Sequence, residues 1–229
     1  DLRGARVALP GWAATKAESF PRAMALHGAA GALAQGGLSL DDVTFVEVAA
    51  STGRREAWNW PGIAELADGT VDAVYVKGAR AAEQAAAHGF AVAVDLDAHP
   101  DVRTRVNNGT PRPITVHADL AEERPDLVVD FLEHALRAAD WAADHPQEVR
   151  AILARETGSG AEGVRAAYRG DFHTRLHPTL DAERLGLLWL QKDFLLEHGF
   201  LAANVDLGAW AAPRFLARAA ERLNAGATV

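Results

Sequence analysis

Cysteine is absent from the 229 residues. Within this chain that excludes disulfides, thiolate metal sites and a cysteine nucleophile. It does not set the compartment, because cytoplasmic and periplasmic chains both manage without the residue. Positive charge is in deficit as well: 23 Lys and Arg stand against 31 Asp and Glu, for a formal net charge of -8. Nucleic acid and anionic membrane both want clustered Lys and Arg, so neither is an expected partner. A small anionic ligand stays open, since one local cation outweighs a distant acidic surface. No apolar run approaches the roughly 18 to 20 residues that span a bilayer, so this chain is not expected to insert into a membrane. Low-complexity linkers and internal repeats are also lacking.

What is present suits a globular chain, with 49% hydrophobic and 24% charged residues. The length allows one large domain or two small lobes. Over the first ninety-odd residues, strand-like and helix-like patterns alternate. "RVALP" (6–10), "VTFVEV" (43–48), "VDAVYVK" (71–77) and "FAVAVDL" (90–96) read as strands. Between them, 14–37 is an Ala-rich helix with Pro21 as a kink or break. The segment 60–69 is a short helix opened by Pro61 and closed by Gly69, and 79–89 is a helix stopped by Gly89. Strands alternating with helices imply an α/β lobe with a mostly parallel sheet.

The pattern then changes. Residues 99–113 are rich in turn formers, "ITVHADL" (114–120) reads as one more strand, and almost everything from Arg124 onward is helical. In 125–145, Leu127, Val128, Phe131, Leu132, Ala135, Ala138, Ala139 and Ala142 share one face at helical spacing. Residues 146–158 open on a proline. Residues 181–199 carry Asp181 as N-cap and Gly199 as stop, and are apolar around so much of the circumference that burial is expected. Residues 207–224 form the last turn and helix. The expected organisation is an α/β lobe over 1–95, a hinge crossing with a return strand over 96–120, and a helical part over 121–229. One return strand is too small a partner for so many amphipathic helices. The opening "DLRGARVALPGW", with a polar turn before the first strand, reads as re-entry into a second lobe. A truncated two-lobe protein is therefore expected, its helical part packing on an absent first lobe and leaving apolar surface exposed.

This order of elements resembles the type 2 periplasmic substrate-binding fold of the sulfonate, taurine and nitrate transport class. "DLRGARVALP" is similar to the family's crossing into the second lobe, and "GTVDAVYV" to the stretch before that lobe's last helix. "AVAVDL", then "RPITVHADLAEERPDLVVDFLEHALRAADWAADHPQEV", resembles the return crossing and its covering helices. The stretch 170–216, "GDFHTRLHPTLDAERLGLLWLQKDFLLEHGFLAANVDLGAWAAPRFL", resembles the sulfinate desulfinases built on the same fold. These shared positions are mainly packing residues. The resemblance implies either a solute receptor of an ABC transporter permease, closing on a small organic anion, or a C–S hydrolase. For the second, it implies a catalytic Cys, His and Arg in a first lobe, none of which can be carried onto these residues. The receptor reading implies a periplasmic or lipid-anchored location, the hydrolase reading a cytoplasmic one. No cofactor or metal is expected. The chain departs from the desulfinases at Lys77-Gly78-Ala79-Arg80, where they are apolar and aromatic, which argues against a biaryl substrate.

Ligands of α/β lobes sit beyond the carboxyl ends of strands, where helix N-termini point. Gly11, Trp12, Ala13 and Thr15 occupy such a loop; it either cradles an oxyanion beside an indole wall or is an ordinary connection. Lys77, with Arg80, ends a strand and suits a sulfonate, sulfinate or carboxylate, unless it is a solvated strand end. Trp58 and Trp60 either pack beneath their loop or line the cleft, with Trp60 the better cleft candidate. His117, on the crossing strand, either donates to a ligand or is a satisfied hinge residue. "GSGAEG" (158–163) fits G-x-G-x-x-G but follows a helix instead of a strand, so a nucleotide role is set aside. His173 and His177, at i and i+4, lack a third metal ligand at sensible spacing.

Overall fold

The computed structural model describes residues 2–49, 60–107 and 111–226. Strand β1, Arg6–Pro10, pairs in parallel with β2, Thr44–Val48, from Arg6 opposite Thr44 to Pro10 opposite Val48. Helix α1, Phe20–Gln35, connects them as a parallel pair requires. On the other side of β1 lies the segment 71–77. It touches the sheet at one parallel bridge, Val7 to Ala73, where the Ala8 N–H donates to the Ala73 carbonyl at 2.9 Å. An ionic clamp fixes it there. The Arg6 guanidinium donates to both Asp72 oxygens at 3.0 and 2.7 Å, and the Arg6 N–H adds a third bond at 2.8 Å. Hydrogen bonds from Arg6, above all from its side chain, hold the Asp72 carboxyl down at about 2.

The α/β character expected of 1–95 is present in smaller form. Residues 90–96 and 114–117 are not strands, and of the expected strand 71–77 only Ala73 pairs, at an isolated bridge. Val92 in the first stretch is 75% exposed, so its β-branched pattern covers no core. In the second, the chain turns into helix α4, Ala118–Glu123. The helix expected over 14–37 begins only at Phe20, so Pro21 marks its start and does not kink it: it stands in the first turn of α1, where its missing N–H would have had no partner. Helices α2, Ile63–Ala67, and α3, Ala79–Ala87, follow the expected spans, and Gly69 and Gly89 beyond them take the left-handed conformation.

Two cores hold this half together. Ala8, Val48 and Val71 pack with Val46, Leu66 and Val74 against the sheet, and Met24, Trp60, Ile63 and Ala81 pack beneath α3. Gly28 in α1 is part of the fit: a Cβ there would lie 2.1 Å from the Tyr75 ring, so the missing side chain is the notch that seats the tyrosine.

The helical part has a core of its own. α5, Pro125–Asp144, packs on α10, Pro213–Gly226, through Val128, Val129, Leu132, Leu136, Phe215 and Ala219. Arg218 and Arg222 bind Asp126, and Arg222 also reaches Asp130 at 2.5 Å, so ion pairs flank the apolar seam. The buried seam uses only part of the apolar arc of α5, since Leu127, Phe131 and Trp141 stay exposed. α6, Pro146–Thr157, ends at left-handed Gly158 and leads to α7, Ala161–Ala167, which packs on α3. α8, Ala182–Glu197, starts as its sequence implies, with the Asp181 carboxylate accepting from the Arg184 N–H at 2.7 Å. It is less covered than its apolar circumference suggests: only Leu187 and Lys192 are buried, and Trp189 is exposed. α9, Leu207–Trp210, is a single capped turn before α10.

Candidate functional site

The carboxyl end of β1 opens into the loop 11–19. The Gly11 N–H donates to the Val48 carbonyl at 2.8 Å, tying the loop to the end of β2. Thr15 and Glu18 bond reciprocally across the turn 15–19, ahead of the α1 N-cap Ser19. The Thr15 N–H and hydroxyl donate to the Glu18 carboxylate at 3.1 and 3.0 Å, and the Glu18 N–H returns to the Thr15 hydroxyl at 3.2 Å. The Ala13 N–H donates to the buried Ser19 hydroxyl at 3.0 Å. An incoming oxyanion would therefore compete with Glu18 for the donors of Thr15.

Trp12 is 47% exposed. Its ring lies 4.9 Å from that of Phe200, and the Arg22 guanidinium sits 5.0 Å from its centre. Arg22 is anchored by the Pro10 carbonyl at 2.7 Å and the Glu47 carboxylate at 3.3 Å. Trp60 has the opposite setting. It is buried among Met24, Ile63 and Ala81, and its indole N–H donates to the Tyr75 carbonyl. Of the two alternatives weighed for it, packing is the one the geometry displays. Trp58 lies outside the described residues.

The bridge from Val7 to Ala73 sets the two segments parallel, and by sequence Gly11 follows β1 while Lys77 ends the segment 71–77. Both candidates thus lie toward the carboxyl ends of the two segments. Lys77 is half-buried, and burial pushes its ammonium below the usual lysine range. Asp97 partly restores it and Arg112 opposes it. Asp97 and Arg112 come from the connection after residue 90, and no local pattern in the sequence links either of them to Lys77. Asp97 also bears on Tyr75, whose phenol is raised by burial first and by that carboxylate second. Arg80 lies in the first turn of α3, two residues beyond Gly78.

His117 is not on a strand. It is the exposed N-cap of α4, its Nδ1 accepting from the Asp119 N–H at 3.3 Å. His177 pairs with Asp140 at 2.8 Å, and no group of three metal-ligating side chains occurs among the described residues. "GSGAEG" has a packing explanation. The Gly160 N–H meets the Glu83 carboxylate at 3.0 Å, and a Cβ on Gly163 would lie 2.5 Å from the Ala79 carbonyl oxygen.

Comparison with known proteins gives this geometry a family. A family model described as NMT1/THI5 like matches residues 1–149. The 2'-hydroxybiphenyl-2-sulfinate desulfinases of Rhodococcus erythropolis and Rhodococcus qingshengii are each 38% identical to the chain over 102 residues. That stretch is 44% of this chain and 28% of theirs, so it spans less than a third of these curated relatives. Among solved structures, the desulfurization enzyme DSZB superposes with a TM-score of 0.66 at 26% identity. A Cys-to-Ser mutant of DSZB in complex with biphenyl-2-sulfinic acid superposes with a TM-score of 0.68 at 27% identity. Each match covers 97% of this chain and 72% of the solved one. On the match to residues 1–149, the chain belongs to the NMT1/THI5-like family.

Proposed function

We propose that the chain is a binding module for a small organic anion, a carboxylate, sulfinate or sulfonate, held where β1 and the segment 71–77 end. The observation that carries this reading is Lys77, a half-buried cation at the carboxyl edge of parallel chains. An ammonium losing water there gains from a fixed anionic partner, because charge-assisted hydrogen bonds strengthen as the site dries. The loop 11–15, which leads from β1 toward α1, supplies the half-exposed Trp12 beside it.

The fuller form of the reading is a two-lobed solute receptor that closes on its ligand and delivers it to an ABC transporter permease. The outer edge of α5 supports a further layer, since Leu127 and Phe131 lie one turn apart and exposed. Calorimetric titration of the full chain with benzoate, benzenesulfinate and benzenesulfonate tests the binding. One-to-one binding that falls at least tenfold in Lys77→Met supports it, and absence of heat with all three refutes it.

A second reading is favoured by the desulfinase relatives: hydrolysis of a carbon–sulfur bond, with sulfite as the sulfur product. The 229 residues hold no cysteine. The nucleophile that this resemblance implies would come from residues outside them. Sulfite release from biphenyl-2-sulfinate by the full-length gene product supports hydrolysis, and tight binding without release supports the receptor.

A further inference from the structure

Trp12 and Trp60 belong to the same lobe and are held in opposite ways. Trp60 is a core residue with its N–H satisfied, whereas Trp12 keeps about half of its surface in solvent while its ring is fixed from two sides. Arg22 fixes it from α1, within the lobe. Phe200 fixes it from the far end of the sequence, in the turn that closes α8.

Phe200 is itself firmly placed. It is buried, and its N–H donates to the Leu195 carbonyl at 2.8 Å. Beside it, the Lys16 ammonium of the β1–α1 loop donates to the Gly199 carbonyl. In the last turn of α8, Phe194 takes the His27 ring of α1 in a stack with centres 3.8 Å apart and planes 3° from parallel, and His198 lies against the same phenyl ring at 4.1 Å. Residues 194–200 thus hold the loop and the helix it leads into at three points. Upstream, much of α8 is only partly covered.

We infer that Phe200 is the positioning residue for Trp12, and that the end of α8 clasps the ligand loop through Phe200 and the Lys16–Gly199 bond. The inference rests on the reading that the β1–α1 loop meets the ligand. Without Phe200 the indole keeps Arg22 but loses the ring that fixes its tilt, so its mean position becomes a distribution. A ligand would then have to order the indole as it binds, and ordering a side chain reduces affinity.

The test uses the full chain with fluorinated tryptophan, whose Trp12 resonance is assigned by its loss in Trp12→Phe. Phe200→Leu keeps apolar bulk and removes the ring, and Phe200→Tyr restores a ring. Without ligand, Phe200→Leu is expected to shift or broaden the Trp12 signal while the other assigned tryptophans hold, and Phe200→Tyr to return it. An unmoved Trp12 signal overturns the inference whatever the protein binds. With benzenesulfinate as probe, the Leu variant is expected to bind about three- to tenfold more weakly, with the Tyr variant restored. Equal affinity in wild type and Phe200→Leu also overturns it. Should wild type bind no probe, the binding proposal falls, and the ligand-free spectra still decide the clasp. If Phe200→Leu disturbs every tryptophan signal, Lys16→Met is the second variant: a change confined to Trp12 supports the clasp, and none overturns it.

Discussion

Replacing Gly163 with alanine sets two effects of opposite sign against each other, and distances predict the winner. Alanine is favoured over glycine inside a helix by about 0.8–1.0 kcal/mol. At Gly186 in α8, a new Cβ would meet nothing within 4 Å, so Gly186→Ala should stabilise by roughly that amount. At Gly163 in α7, the same Cβ would lie 2.5 Å from the Ala79 carbonyl oxygen and 3.0 Å from the Glu83 Cβ. The first of these is backbone of α3, so relief requires moving one helix off another. Overpacking of this kind costs about 1–3 kcal/mol, leaving Gly163→Ala destabilised by about 1 kcal/mol after the propensity gain. For a chain of this size, 1 kcal/mol moves Tm by about 2–4 °C, so the two variants should separate by several degrees in opposite directions. Urea and thermal unfolding followed by circular dichroism read both. If Gly163→Ala rises with Gly186→Ala, the close approach of α7 to α3 is wrong, and "GSGAEG" loses its packing explanation.

Other outcomes follow from single groups. Burial, and secondarily His198, push the His27 imidazole down to about 4 from its ordinary 6.5. The unfolded chain therefore binds the extra proton between those values. Stability contributed this way is full above about pH 6.5, is lost as pH falls toward 4, and amounts to about 3 kcal/mol at most. His27→Leu should flatten Tm against pH over that window; an unchanged slope would count against the burial of His27. Removing the Thr15–Glu18 hydrogen bonds by Thr15→Ala should cost about 1 kcal/mol in urea unfolding, and no loss would show that the turn is not formed in solution. The Asp72 carboxyl, followed by carbon NMR, should titrate near 2 in wild type and move up in Arg6→Met. A wild-type midpoint near 4 would mean the clamp beside β1 is open.

The helices were the most legible part of the sequence because their signals are local. Pro125 and Pro146 open α5 and α6, Asp181 caps α8, and Gly69, Gly89 and Gly158 terminate the segments before them. Strands were legible only where a partner exists. Residues 6–10 and 44–48 find each other, whereas 90–96 and 114–117 have strand composition without a ladder, and composition cannot supply the neighbour. The same limit applied to the site. Lys77 was visible as a cation after an apolar run, but Asp97 and Arg112, which set its charge environment, come from a distant connection. Trp12 and Trp60 look alike as sequence, and only tertiary contact separates an exposed, braced indole from a buried one. His117 was read as part of a strand because "ITVHA" alternates; the structure makes it a helix cap.

The central claim is that an organic anion lies at the carboxyl edge shared by β1 and the segment 71–77. Backbone amide shifts of the isotope-labelled full chain, recorded as benzenesulfinate is added, test it most directly. The account predicts saturable shifts concentrated at Gly11, Trp12, Ala13, Thr15 and Lys77, lost in Lys77→Met. Saturable shifts centred on other residues, or none up to millimolar probe, would contradict it.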